Sequence, residues 1–156
     1  MFAWLETTPV ADWVALSLWA YPSLLSFHIV GLAIVVGIFI MRDLRLAGVI
    51  GGIEPAVFLR LGLLAWIGFA VNLISGLLLF SSQATIFVSN IPFLFKISCI
   101  IAGMVLAGLI QSRMRRQIQV SGETSTQGDE SLKVLAIISI IVWLAAISAG
   151  RLIAYF

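Results

Sequence analysis

One histidine, one asparagine and two cations lie in or beside apolar stretches of this chain, where polar side chains need a reason. His28 lies in "SFHIVGLAIVVGIFIM" and Asn72 in "WIGFAVNLISGLLLF", while Lys96 and Arg151 lie near the ends of two further apolar runs. A neutral imidazole binds haem iron or copper, and nearby cations can pair with the carboxylates of a cofactor. These four residues are therefore the first candidates for a cofactor site.

The sequence leaves three interpretations of His28 open. As an axial ligand of haem b, it would project from a helix bundle. Gly31, one turn along, would leave room for the macrocycle, and Lys96 and Arg151 would pair with its two propionates. As a structural residue, His28 would hydrogen-bond a neighbour such as Asn72 and fix the packing of two helices. The third interpretation is copper binding or a proton relay, although the chain has only four methionines and no cluster of soft ligands.

The haem interpretation needs a second axial ligand, because the chain contains one histidine. A second copy across a two-fold axis could supply it, another side chain such as Met104 could do so, or the iron could be five-coordinate. Cysteine offers no alternative metal cluster, because Cys99 is the only one in the chain. The metal ligand is predicted to be His28, and the predicted cofactor-binding residues are His28, Gly31, Asn72, Lys96, Arg151 and Tyr155.

Composition indicates that lipid, rather than water, surrounds most of this chain. It is 62% hydrophobic and 10% charged, whereas soluble domains carry about 25% charged residues. A membrane-spanning helix needs about 20 apolar residues, and the apolar runs are continuous rather than alternating, which favours helices over a β-barrel. We therefore expect an all-α, integral membrane four-helix bundle, a single transmembrane domain over residues 1–156 with spans at about 21–41, 57–80, 92–110 and 132–155.

An aromatic segment, "FAWLETTPVADWVALSLWAY", precedes the first predicted span. Indole and phenol rings prefer the headgroup level of a bilayer, so this segment is predicted to form an interfacial N-terminal helix. It has no basic region and no clear small-residue cleavage site, which does not fit a removable signal peptide.

Basic residues are distributed unequally between the two sides of the predicted bundle. Only Lys96 and Arg151 fall on one side, and seven flank the first and third connections: Arg42, Arg45, Arg60, Arg113, Arg115, Arg116 and Lys133. Positive residues favour the cytoplasm, so both termini are predicted to be periplasmic. The net charge of +2 comes from these membrane-edge residues, so no nucleic-acid partner is expected.

Small and polar residues recur at helical spacing on the predicted spans. The second span carries Ala65, Gly68, Asn72, Ser75 and Gly76, and the third carries Lys96, Cys99, Gly103 and Ala107. Such stripes let membrane helices approach closely, and we expect them to face other helices.

The strongly polar intramembrane residues are all predicted to lie in the outer half of the bilayer, leaving an aliphatic inner half. Asp43, within "MRDLRLAG", is interpreted as a cytoplasmic anchor that pairs with Arg42, Arg45 or Arg60. A docking surface for a partner subunit is the alternative interpretation.

Three segments together resemble a known group of proteins: "H..G.....G.....DLRL.G" from His28 onward, "NIPFLFK" and "SAGRLIAYF". The chain resembles small bacterial inner-membrane proteins that are distantly similar to the four-helix cores of copper-resistance D-type proteins and membrane b-type cytochromes. The resemblance covers nearly the whole chain. It implies a bacterial inner-membrane location with His28 at the functional centre, and it includes Asp43-Leu44-Arg45, Lys96, Gly150 and Arg151 in the shared pattern.

We therefore expect a b-haem-binding membrane protein that passes electrons from a donor such as quinol to an acceptor at the outer face. Its expected partners are the lipid bilayer and either further copies of itself, as a homo-oligomer, or a partner membrane subunit. The alternatives are a cofactor-free structural or accessory subunit and a copper-handling protein. No catalytic acid, base or nucleophile is evident, so a redox carrier or accessory subunit is favoured over a stand-alone enzyme.

Overall fold

Helices make up all the regular structure in the part of the chain that the computed structural model describes, residues 2–121, 130–153 and 155. Within these residues no strand occurs, which confirms the all-α prediction. In chain order the helices are α1 (Ala3–Glu6), α2 (Pro9–Leu16), α3 (Ala20–Leu46), α4 (Pro55–Ser81), α5 (Ala84–Ser89), α6 (Ile91–Ser121) and α7 (Glu130–Leu152).

Four of these helices are long and apolar enough to cross a membrane, over Ala20–Leu46, Ala56–Ser81, Ile91–Gln119 and Glu130–Leu152. They alternate in direction, so α3 begins on one side of the bundle, the His28 side, and ends on the other, the Arg42 side. Helices α3 and α6 are longer than the predicted spans, because arginine is a good helix former and does not interrupt them. Helix α3 ends at Leu46, just before Gly48, whose φ of 79° suits glycine in a helix-terminating turn.

The aromatic N-terminal segment forms two short helices instead of the single helix predicted. Helix α2 starts at Pro9, and the Thr8 side chain caps it by accepting a hydrogen bond from the Ala11 N–H at 3.3 Å. Proline fits the first turn of a helix but not its interior, so the chain breaks between α1 and α2. Trp13 and Trp19 remain exposed, as expected for rings at a membrane interface.

The bundle is built mainly from two helix pairs. Helix α3 packs along α4, helix α6 packs along α7, and α3 also contacts α7, whereas α4 and α6 contact each other over a much shorter length. Two hydrophobic clusters fill the middle and the Arg42 side: Val35, Val36, Phe39, Ala65, Ala107 and Trp143, and Phe58, Ile110, Met114 and Leu132.

An aromatic stack closes the His28 side between α4, α5 and α6. The Phe93 ring stacks on Phe80 and Phe87, with centroid distances of 5.6 and 5.2 Å. Nearby, the Glu6 carboxylate accepts hydrogen bonds from the N–H and the hydroxyl of Thr85, at 2.8 and 2.6 Å. These contacts tie the N-terminal helix α1 to the connection between α4 and α6.

Candidate functional site

The His28 side chain is held against α4 by hydrogen bonds. Its Nδ1 lies 3.0 Å from the backbone carbonyl oxygen of Asn72 and 3.3 Å from the Ser75 hydroxyl oxygen. The Asn72 amide Nδ2 donates in return to the backbone carbonyl of His28 at 2.8 Å. The predicted partnership of His28 with Asn72 is therefore present, and it joins α3 to α4.

These contacts fix which nitrogen of the neutral imidazole carries the proton. A backbone carbonyl only accepts hydrogen bonds, so the contact with Asn72 requires a proton on Nδ1. The Ser75 hydroxyl donates its own proton to the Val71 carbonyl at 2.6 Å, which leaves its oxygen as a second acceptor for Nδ1–H. The His28 Nε2 therefore carries the lone pair that could bind a metal or accept a hydrogen bond.

Glycines bring α3 and α4 into backbone contact next to His28. A Cβ atom on Gly31 would lie 2.8 Å from both the Asn72 nitrogen and the Gly68 carbonyl oxygen. On α4, one turn after Asn72, a Cβ atom on Gly76 would lie 3.0 Å from the His28 Cε1. The stripe predicted on the second span thus faces α3, and the space beside Gly31 is filled by α4.

Lys96 approaches the same region from α6. Its aliphatic chain lies over Gly150 of α7, where a Cβ atom would be 3.5 Å from Cδ and Cε. Its ammonium is close enough to His28 to interact with the imidazole electrostatically. Lys96 is half-buried, and among the residues that the structure describes no carboxylate forms an ion pair with it.

Arg151 and Tyr155 contact each other at the end of α7. The Arg151 guanidinium carbon lies 5.6 Å from the centre of the Tyr155 ring, and its Nη2 is 3.4 Å from the phenol oxygen. Both residues are exposed. Of the six predicted cofactor residues, the structure brings together His28, Gly31 and Asn72. It places Lys96 within electrostatic range of His28 and pairs Arg151 with Tyr155.

In the described residues, the His28 region included, no group of three or more His, Cys, Asp or Glu side chains could hold a metal ion. Cys99 is a partly buried free thiol. Met104 packs against the first hydrophobic cluster.

An ion pair is buried inside the bundle on the Arg42 side, near the end of α3. Arg42 is 3% exposed and Asp43 is 0% exposed. The Arg42 Nε donates to Asp43 Oδ1 at 2.8 Å, and its Nη1 donates to the Ala107 carbonyl at 3.2 Å. Asp43 pairs with Arg42 as predicted, but the pair lies inside the bundle rather than at a surface anchor.

The sequence interpretation missed two buried residues of α7, Ser139 and Trp143. Ser139 lies beside Asp43, and Trp143 is linked to Arg42 through Phe39. Ser139 is fully buried, and Trp143 is 1% exposed with its indole packed over Gly103. The Phe39 ring contacts both Trp143, at a centroid distance of 5.8 Å, and the Arg42 guanidinium, at 4.9 Å. Ser139 and Trp143 are four residues apart and so share one face of an apolar helix. This spacing was the signal in the sequence that could have identified them.

The fold and the polar residues inside it define a multi-pass helical membrane protein. Over residues 2–156 the chain matches the model of a family described as "Family of unknown function (DUF6644)". The chain therefore belongs to this family. Comparison with curated proteins and with solved structures gives no match.

Proposed function

We propose that this chain is a b-haem-binding membrane protein that carries electrons, with His28 Nε2 as an axial ligand of the iron. The observation that supports it is the 3.0 Å contact between His28 Nδ1 and the Asn72 carbonyl. Metal-ligating histidines nearly always donate their other ring nitrogen to such an acceptor, which orients the ring and raises its basicity. Haem b, when bound, would supply one-electron redox chemistry.

The residues around His28 fit this cofactor in two respects. The hydrogen bonds from α4 hold the imidazole in one tautomer with Nε2 unprotonated, which is the form that binds iron. Lys96 supplies a nearby cation that would pair with a propionate. The proposal therefore depends on His28, Asn72, Ser75 and Lys96, all on helices rather than loops.

Other predicted residues contribute less to the proposal. Helix α4 occupies the space beside Gly31, so the glycine supports helix contact rather than room for a macrocycle. Arg151 would have to leave Tyr155 to reach a propionate. One histidine supplies one axial position, so a second ligand would come from another side chain or another copy of the chain.

A cofactor-free structural or accessory subunit is the second candidate. It is favoured by the reciprocal hydrogen bonds of His28 and Asn72. These bonds satisfy the His28 Nδ1–H and the Asn72 Nδ2–H between α3 and α4 without a bound cofactor. Cross-helix hydrogen bonds and glycine contacts are common devices for assembling membrane helices.

Absorption spectroscopy of the purified protein separates the two candidates. We expect a Soret band and bound iron in the wild type, and loss of both in a folded His28→Ala variant. Ser26→Ala is the matched control, because the Ser26 hydroxyl is exposed and bonds only the Pro22 carbonyl among its described partners. This variant should keep the band.

The opposite result is equally clear. A folded, colourless, iron-free wild-type protein from haem-supplemented cells would overturn the haem proposal. Loss of thermal stability in His28→Ala under those conditions would then support the structural candidate.

A further inference from the structure

Four polar atoms are left without hydrogen bonds around the Arg42–Asp43 pair. In the part of the chain that the structure describes, Arg42 Nη2, Asp43 Oδ2, Ser139 Oγ and Trp143 Nε1 are buried and have no partner in hydrogen-bond geometry. Arg42 Nη2 does lie 2.7 Å from Asp43 Oδ1, so it is an ion-pair contact at an unfavourable angle. Buried groups of this kind cost free energy unless something bonds them.

The four atoms belong to side chains that converge between α3 and α7. The Ser139 hydroxyl lies beside the Asp43 carboxylate as a hydrogen-bonding neighbour, although neither Ser139 Oγ nor Asp43 Oδ2 has a partner in strict hydrogen-bond geometry. Trp143 follows one turn later on α7, and its ring packs against the Phe39 ring and over Gly103. The region bordered by these four side chains, called the gap below, therefore has unbonded polar atoms on two helices, α3 and α7.

The donor and acceptor types select what can fill this gap. The Trp143 N–H and the Arg42 guanidinium only donate, the Asp43 carboxylate only accepts, and the Ser139 hydroxyl does both. A metal cation would meet the guanidinium and the indole N–H, and an anion would meet the carboxylate. A neutral molecule that both donates and accepts avoids either conflict.

We propose that one buried water molecule binds here, accepting from Trp143 Nε1 and donating to Asp43 Oδ2, with the Ser139 hydroxyl as its third partner. Buried waters in proteins have about three such partners. The water would complete a polar connection across three helices, because Arg42 already bonds the Ala107 carbonyl of α6. This site is separate from the His28 site and does not depend on haem.

Nuclear magnetic resonance of the tryptophan-labelled, full-length protein in micelles tests the site. The Trp143 indole resonance is assigned by its absence in Trp143→Phe. We expect a cross peak between this indole proton and a bound water in the wild type. The same peak must persist in Ser139→Ala, where no hydroxyl proton can produce it. A missing peak in either protein would overturn the proposal.

Thermal unfolding gives an independent readout of whether the Ser139 hydroxyl is bonded in the folded protein, as the water site requires. If water is bound, Ser139→Ala removes one of its partners, and the Tm should fall by about 2 to 4 °C. If the gap is empty, the same change removes an unpaired hydroxyl and the Tm should rise, which would overturn the proposal.

A matched serine on the same helix provides the control. Ser148 is exposed and its hydroxyl donates to the Leu144 carbonyl at 2.9 Å, so Ser148→Ala should leave the Tm unchanged. A fall in Ser148→Ala equal to that in Ser139→Ala would attribute the effect to helix α7 in general and overturn the water site.

Discussion

His28 and Asn72 bond each other twice, and each side chain reaches the backbone carbonyl of the other residue. The His28 Nδ1–H donates to the Asn72 carbonyl at 3.0 Å, and the Asn72 Nδ2–H donates to the His28 carbonyl at 2.8 Å. A shift of one helix along the other would break both bonds together. The pair therefore fixes the register of α3 against α4 at the level of the candidate ligand.

Removing one of these two bonds should cost a modest amount of stability. Asn72→Leu deletes the amide donor but keeps the backbone carbonyl that accepts from His28. Cross-helix hydrogen bonds in membranes contribute about 0.6 kcal/mol on average and at most about 1.7 kcal/mol, and we expect a loss in that range. Reversible unfolding in mixed micelles would measure it. A loss of several kcal/mol would show that Asn72 has a larger role than this bond.

Two glycines on α3 should respond oppositely to the same substitution. In Gly31→Ala the new methyl would lie 2.8 Å from backbone atoms of Gly68 and Asn72, which cannot move aside, so we expect destabilisation of about 1 to 3 kcal/mol. In Gly37→Ala nothing lies within 4 Å of the methyl, and higher helix propensity should leave stability equal or improved. Equal losses in the two variants would contradict the close contact between α3 and α4.

Breaking the buried ion pair should be more damaging than replacing it. Asp43→Ala leaves the Arg42 guanidinium buried without its counter-charge, and such losses amount to about 3 to 5 kcal/mol. Replacing both residues, with Arg42→Met and Asp43→Leu together, removes both charges and should cost much less. Unfolding free energies of the single and double variants form the test. Arg60→Met, an exposed arginine on α4, is the control and should change little.

Acid should release the N-terminal helix from the α4–α6 connection. Hydrogen bonds from the Thr85 hydroxyl and N–H lower the pKa of Glu6 below its ordinary value of 4.5. A lowered pKa means that the contact stabilises the fold above the unfolded pKa and is lost as the pH falls through the folded one. Proteolysis of the N-terminal segment should therefore accelerate as the pH falls through the lowered pKa of Glu6, at more acidic pH than an ordinary glutamate would require. Glu6→Gln, which lacks the titration, should show no such step.

The charge asymmetry predicts the orientation of the bundle. A reporter that is active only in the periplasm, fused after Phe156, should be active, because most arginines and lysines flank the connections on the Arg42 side and basic residues favour the cytoplasm. A reporter inserted at Gly51 should give the opposite signal. Activity of the Gly51 fusion in the periplasm would reverse the topology.

Much of this architecture followed from apolar length and helical spacing. Four spans and the glycine-polar stripe of α4 were predictable because both depend on residue type at fixed intervals along one helix. The partnership of His28 with Asn72 was also predictable, because both are polar residues within apolar spans and are costly to leave unpaired in lipid.

The burial of Arg42 and Asp43 was not predictable in the same way. A charged pair at the end of an apolar run usually marks the membrane edge, and its residue types do not reveal which helices pack around it. Only the packing of α6 and α7 against the end of α3 encloses the pair. The spacing of Ser139 and Trp143 places them on one face of α7, but which helix that face meets depends on the tertiary structure.

The unequal contacts between helices have a consequence for biosynthesis. The most extensive contacts join α3 with α4 and α6 with α7, and each of these pairs consists of membrane-spanning helices that follow one another in the chain. Each hairpin can form from local contacts, which assemble faster than distant ones. As the ribosome delivers the chain from its N-terminus, the first hairpin can close in the membrane before the second is synthesised. Insertion should therefore proceed as two hairpins that dock late, and the contact of α3 with α7 should be the last to form.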